Sequence, residues 1–314
     1  MLFAAIDIGT NAVRLYFANV FLPKEVPTVE KASLIRLPLR LGEDVFTVGK
    51  ISEERVSKLL KTLKAFKLLI DVYNPLDYIA CATSAMREAA NSKDILNRVY
   101  AETGIDINII DGIEEARIVC AANNLNTSHK NELAMYVDVG GGSTEISIIR
   151  NNVLIATNSF KLGTLRILNG ADNTNEWVRL QNWLMNFENN FGNIYLIGSG
   201  GNINKLSKLY GKSYNNVLSL EEMKKGYRHL KSKSLKERIE KMGLRPDRAD
   251  VIIPAVEIFL LIMKLIHCES IYVPRIGLSD GLILEVYKKF IQKDLSLFKE
   301  KETFGKQLEM QKAY

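Results

Sequence analysis

Residues 136–143, Tyr136-Val137-Asp138-Val139-Gly140-Gly141-Gly142-Ser143, decide the fold when set beside residues 5–11, Ala5-Ile6-Asp7-Ile8-Gly9-Thr10-Asn11. Each is an apolar run closed by Asp, one more apolar residue, glycine and small polar side chains. Each is followed by a second strand-like run, beginning at Val13 and at Glu145. A single turn of this kind is ordinary hairpin chemistry, since Asp at a strand end commonly caps a turn. Two copies about 130 residues apart form an internal repeat, and they predict a duplicated unit with a cleft between its halves.

Outward from these loops the chain alternates strands and helices. Strands are predicted at 2–8, 13–21, 31–39, 78–82, 105–110, 133–139, 145–150, 153–160, 194–197 and 270–273. Helices are predicted after the N-cap Ser52, at 92–102 with Gly104 as the stop, and at 112–123, 249–267 and 281–304. Two more sit behind the capping boxes Ser219…Glu222 and Ser234…Glu237. A polar joint, 123–132, separates the halves, and the alternation makes the fold class α/β.

The 314 residues are 47% hydrophobic and 25% charged, with a net charge of +6. At ~100–200 residues per domain that is material for two domains, and it excludes a disordered or collagen-like chain. The positive excess suits an anionic ligand without implying nucleic acid. Cys81, Cys120 and Cys268 are scattered, with no CxxC or Cys/His spacing, so neither a disulfide framework nor structural zinc is expected. Asp7, Asn11 and Arg14 interrupt the apolar opening, which reads as a strand and not a signal peptide. The stretch 251–266 contains Pro254, Glu257 and Lys264 and falls short of the ~20 residues a bilayer span needs. A soluble, cytoplasmic protein without a membrane partner is the expectation.

The chemistry follows from the loops. A strand ending in glycines exposes consecutive backbone N–H groups to anionic oxygens, and Thr10, Asn11 and Ser143 add side-chain donors. Asp7, Asp138 and Glu145 would repel phosphate directly but can hold Mg²⁺, which then bridges to it. Arg87, in Ala82-Thr83-Ser84-Ala85-Met86-Arg87, has a fork suited to phosphate oxygens, although taken by itself a solvated helix position is the more natural reading. Gly198-Ser199-Gly200-Gly201 after a strand is a candidate third nest. In Asp111-Gly112-Ile113-Glu114-Glu115-Ala116-Arg117 two acids open a helix, where acids often only serve the dipole.

Taken in order, AIDIGTNAVRL, ATSAMRE, DGIEEARI, VDVGGGSTEISI, KLGTLRIL, IGSGGNINKL, RPDRADVIIPAVEI and GLSDGLILE resemble the exopolyphosphatase and guanosine pentaphosphate phosphatase family over nearly the whole chain. The resemblance implies two ribonuclease H-like domains of the actin, sugar kinase and Hsp70 superfold around an interdomain cleft. Residues 1–124 with 295–314 would form one domain and 125–294 the other. It implies Mg²⁺-assisted hydrolysis of the terminal phosphoanhydride of inorganic polyphosphate or guanosine pentaphosphate. Glu115 matches the family's base, with Glu114 as second choice. Arg87 matches the family's phosphate-contacting arginine, and Asp138 and Glu145 match acids implicated in Mg²⁺ and phosphate-chain binding, with Gly140, Gly141, Gly142 and Ser143 as the loop between them. Thr10, Asn11, Gly200 and Gly201 as phosphate contacts, and Asp7 in the metal set, rest on the loop pattern alone. Two departures stand out: Ala12 lacks the hydroxyl usual at that position, and GSGGN replaces a GTSGT-like form. The chain also stops before the helical region through which longer members extend their channel and dimerise, so shorter substrates are expected. A homodimer stays open, as do a kinase or ATPase of the same superfold and a non-catalytic sensor.

Overall fold

The computed structural model describes residues 1–21, 27–124, 133–151, 153–187, 194–211 and 216–293, which form two mixed sheets. The first contains β1 (Leu2–Ile8), β2 (Val13–Phe21), β3 (Thr28–Leu37), β4 (Tyr78–Ala82) and β5 (Asn108–Ile109), in the order β3-β2-β1-β4-β5. Its hairpins β1–β2 and β2–β3 are antiparallel, whereas β1–β4 and β4–β5 are parallel. The second contains β6 (Leu133–Val139), β7 (Thr144–Arg150), β8 (Val153–Phe160), β9 (Ile194–Ser199), β10 (Val217–Ser219) and β11 (Ser270–Tyr272), in the order β10-β11-β9-β6-β7-β8. Read from β8 inward it repeats the first plan: an antiparallel β8-β7-β6 meander, then parallel β9 and β11. That arrangement is the ribonuclease H-like sheet, present twice as the repeated loops predict.

The central strands β1 and β6 have neighbours on both sides and are buried nearly throughout, which is why they read as continuous apolar runs instead of alternating ones. Helices cover the sheets. In the first half they are α1 (Leu41–Val48), α2 (Glu53–Tyr73), α3 (Ser84–Glu88) and α4 (Ser92–Thr103). Ser52 caps α2, and Gly104, at φ 67°, ends α4. α5 (Gly112–Asn124) leads to the second sheet, followed by α6 (Thr164–Leu168), α7 (Thr174–Met185) and α8 (Gly201–Tyr210). α9 (Leu220–Lys231) and α10 (Leu235–Glu240) both begin with the expected capping boxes. The helix predicted over 249–267 is α12 (Ile252–Leu265), and a separate short helix, α11 (Pro246–Ala249), precedes it because Pro246 starts a helix of its own.

Two placements differ from the sequence reading. The closing helix α13, residues 278–293, was grouped with the second half but packs on the first sheet: Leu282, Ile283 and Val286 are buried with Phe3, Ala5 and Tyr16. Its apolar stripe finds a matching face there, and Phe3 meets Tyr287 and Phe290 edge-to-face at 5.8 and 5.6 Å. The expected docking of residues 295–314 lies outside the described residues. α5, assigned to the first half, is shared. Its Ile118 and Val119 pack toward the first sheet, and its Cys120 packs with Ala134 and Tyr136 of the second. One helix thus reports to both walls of the cleft.

Phe3 is fully buried at the centre of this contact. Phe3→Ala is expected to cost about 3–5 kcal/mol in chemical denaturation. A cost below ~1 kcal/mol would mean that α13 is not docked on β1.

Candidate active site

The two repeated loops fold alike. Gly9 donates its N–H to the Ala12 carbonyl at 3.1 Å, and Gly140 to the Ser143 carbonyl at 2.9 Å. The following carbonyls are tied back, Thr10 by Gly42 N–H at 3.0 Å and Gly141 by Leu165 N–H at 2.8 Å. Among the described residues the N–H groups of Thr10, Asn11, Gly141 and Gly142 meet no backbone carbonyl, which leaves them for a ligand. The loops also touch. A Cβ on Gly141 would lie 3.0 Å from Thr10 Cβ, and one on Gly142 would lie 2.5 Å from Ser84 Oγ, so only glycine allows this approach.

The repeat is broken at one informative position. In β1–β2 the cross-strand partner of Asp7 is Arg14; in β6–β7 the partner of Asp138 is Glu145. Arg14 donates to Asp7, which Ser279 Oγ also approaches at 3.4 Å. The first loop therefore carries a neutralised acid and the second a pair of acids on one face. Burial raises both: Asp138 to about 6, and Glu145 to about 7 with Asp138 adding repulsion. Ser159 Oγ donates to Glu145 Oε1 at 2.8 Å.

α5 delivers the fourth acid. Its first residue, Gly112, sits so close to Ser159 and Glu145 that a Cβ would clash with the serine at 2.2 Å. That contact swings Glu115 toward the group, where burial first, then Glu145, Asp138 and Asp7, push its pKa well above the usual carboxylate range. Its Oε2 is buried with no hydrogen-bond partner among the described residues. Glu114 points elsewhere and is held by Arg117 Nε at 2.8 Å and Nη2 at 2.7 Å, the contact that lowers its pKa. The two adjacent glutamates therefore face different surroundings, Glu115 the acid group and Glu114 the Arg117 guanidinium. Arg87 donates to the Ile110 carbonyl at 2.6 Å and is not on the cleft wall; its charge lowers the pKa of Glu115 and Glu145 from behind.

A cleft of about 790 Å³ runs between the loops, lined by Asp7, Thr10, Asn11, Glu115, Asp138, Gly140, Gly141, Ser143, Gly200 and Gly201. Gly142, Glu145, Arg87 and Glu114 are outside that lining. Gly200 is needed for its φ of 100° and because a Cβ would meet Asp138 Oδ1 at 2.7 Å. Among the described residues no three acids, histidines or cysteines converge closely enough to cage a metal unaided. The all-carboxylate set still fits Mg²⁺, which keeps waters and phosphate oxygens among its six ligands and needs only one or two protein carboxylates.

The far wall is basic and escaped sequence reading. Lys31 and Arg36 come from β3, Lys208 from α8, Arg245 and Arg248 from around α11, and Arg275 from beyond β11. A bulge opposite Phe17–Ala18, where Ser33 and Lys31 face consecutive residues, turns Lys31 and Arg36 to the same side although they are five apart. Burial, then Arg36, lowers Arg248 to about 10. Five residues apart is no period of a regular strand, so no pattern in the sequence announces this face.

A two-sheet α/β protein with a cleft built for anionic oxygens is the class these features define. The model of the Ppx/GppA phosphatase family matches residues 33–177, a little under half of the chain. Exopolyphosphatase 1 of Mycobacterium leprae is 24% identical over 311 residues, 90% of this chain and 89% of that protein. The bifunctional 3-dehydroquinate synthase/phosphatase of Fusobacterium nucleatum is 35% identical over 169 residues; the match spans 52% of this chain and only 25% of the length of that relative. Among solved structures, the Ppx/GppA family member of Aquifex aeolicus superposes with a TM-score of 0.72 at 27% identity, covering 92% of this chain and 98% of its own.

Because Glu145 and Asp138 have folded pKa values above their unfolded ones, the folded state holds extra protons between about pH 4 and 7, and stability falls as pH rises through that window. In metal-free buffer Glu145→Gln is expected to stabilise the protein at pH 8 by about 1–3 kcal/mol and to do little at pH 4. Thermal unfolding at the two pH values checks this; a loss of stability at pH 8 would contradict it.

Proposed function

We propose that this protein hydrolyses the terminal phosphoanhydride of inorganic polyphosphate or guanosine pentaphosphate. The observation that carries the reading is the unpartnered, buried Glu115 Oε2 set among three more acids beside two glycine loops. A carboxylate with a raised pKa and a free oxygen is suited to take a proton from water at neutral pH. The loop N–H groups hold the terminal phosphate, and Thr10 and Ser143 lie beside them. The cationic wall of Arg36, Arg248 and their neighbours holds the rest of the chain.

Asp138 and Glu145 would hold Mg²⁺, which when bound supplies charge neutralisation to the phosphate oxygens. Asp7, whose charge Arg14 already balances, is left out of this assignment. Glu115 accepts the proton of the attacking water, and the buried surroundings keep that oxygen from spending its lone pairs elsewhere. The M. leprae relative, an exopolyphosphatase by name, supports this choice of substrate, as does the order of motifs along the chain.

Glu115→Gln is expected to lower Mg²⁺-dependent phosphate release from tripolyphosphate, long polyphosphate and guanosine pentaphosphate by roughly 10²–10⁴-fold. Glu114→Gln should stay near wild type. Full activity in Glu115→Gln would refute its role as base, and a silent wild type on all three substrates would refute the reaction.

A further inference from the structure

One buried cation has no part in the proposed chemistry. Arg166, on α6 of the second half, is 7% exposed. Its Nε donates to the Gly142 carbonyl at 2.9 Å, and its Nη2 donates to Glu88 Oε1 at 2.7 Å. Its guanidinium lies 3.9 Å over the ring of Phe46. Gly142 belongs to the second loop, while Phe46 and Glu88 belong to α1 and α3 of the first half. One side chain therefore joins the two walls at the point where the loops meet.

The contacts continue from there. A Cβ on Gly142 would lie 2.6 Å from Phe46 Cζ and 2.5 Å from Ser84 Oγ, so the loop rests directly on both residues. Ser84 Oγ is 2.7 Å from Thr10 Oγ1 in the first loop. Ser84 and Glu88 stand one turn apart on α3, which makes that short helix an anvil: the second loop is seated at one end and Arg166 is anchored at the other. The backbone next to Arg166 adds to the grip, since Thr164 N–H holds the Gly140 carbonyl at 3.0 Å.

We infer that Arg166 is a positioning residue that fixes the spacing of the two phosphate loops. A planar fork can donate along two directions while its face rests on an aromatic ring; an ammonium cannot reproduce that geometry. A lost hydrogen bond to a loop carbonyl lets the loop shift, and displacements of about 1 Å can cost ~10²-fold in rate. The kinetic side of this inference rests on the hydrolase reading above; the structural side does not.

The test compares Arg166→Gln, Glu88→Gln and the double variant Arg166→Gln/Glu88→Gln, which removes both charges of the buried pair and releases only the exposed Lys161 from Glu88. The readouts are kcat and KM for tripolyphosphate, Tm, and amide hydrogen exchange over residues 139–144. Glu88→Gln, whose amide oxygen still accepts, is expected to stay within about threefold of wild-type kcat. Arg166→Gln should lose at least about tenfold in kcat with KM little changed. In the double variant Tm should return toward wild type while kcat stays low and exchange over 139–144 is at least about tenfold faster. Recovery of kcat and of exchange protection together with Tm would overturn the inference and reduce Arg166 to a structural ion pair. If the wild type releases no phosphate, the hydrolase reading fails and exchange alone decides: faster exchange at 139–144 supports the inference, and unchanged exchange overturns it.

Discussion

Four carboxylates share a junction between two sheets, three of them lining the cleft, and much of the architecture can be read as what makes that tolerable. Asp7, Glu115, Asp138 and Glu145 repel one another, and burial raises three of them above their ordinary range. Isolated charges in such surroundings would simply take up protons. Here Arg14 neutralises one acid, serines donate to another, and Arg87 stands behind the pair on α5 and β7. Within this group of four acids, and among the described residues, one buried oxygen of Glu115 is left without a partner. The fold spends its stability on keeping that oxygen available, the usual relation between a strained polar cluster and a reactive site.

The duplication explains how the junction arises and why its walls are unequal. Both halves supply the same hairpin with the same turn bond, Gly9 to Ala12 and Gly140 to Ser143. A single cross-strand position then divides their labour: Arg14 makes the first loop electrically quiet, and Glu145 makes the second a two-acid face. α5 passes between the sheets and adds Glu115 at the seam, so the base depends on the packing of both halves.

How much of this was legible in the sequence depends on the range of the interaction. Strands β1, β2, β4, β6 and β8 and both capping boxes follow from local pattern, and their predicted and observed bounds agree. The short helices α1 and α3 left no period to read, because five to eight residues complete barely two turns. The packing of α13 on the first sheet is not readable from its sequence, because its apolar stripe does not say which sheet it matches. In the site, the glycine loops and Asp138 were visible because backbone geometry dictates the residue type. The family motif ranks Glu115 ahead of Glu114, but the residue pattern alone does not, since their different surroundings rest on Arg117 and on the close approach of Gly112 to Ser159. The basic wall was invisible because its members come from four distant segments and a bulge.

The central claim is that Glu115 is a buried carboxyl of unusually high proton affinity whose environment changes when cations and phosphate arrive. Site-resolved NMR titration of the Glu115 side-chain carboxyl, in metal-free protein and again with Mg²⁺ and tripolyphosphate bound to a slow variant such as Ser143→Ala, tests it most directly. The account requires a midpoint well above the ordinary glutamate range of ~4.3 in the metal-free protein, and a lower one once Mg²⁺ is bound. An ordinary midpoint in both states would contradict it.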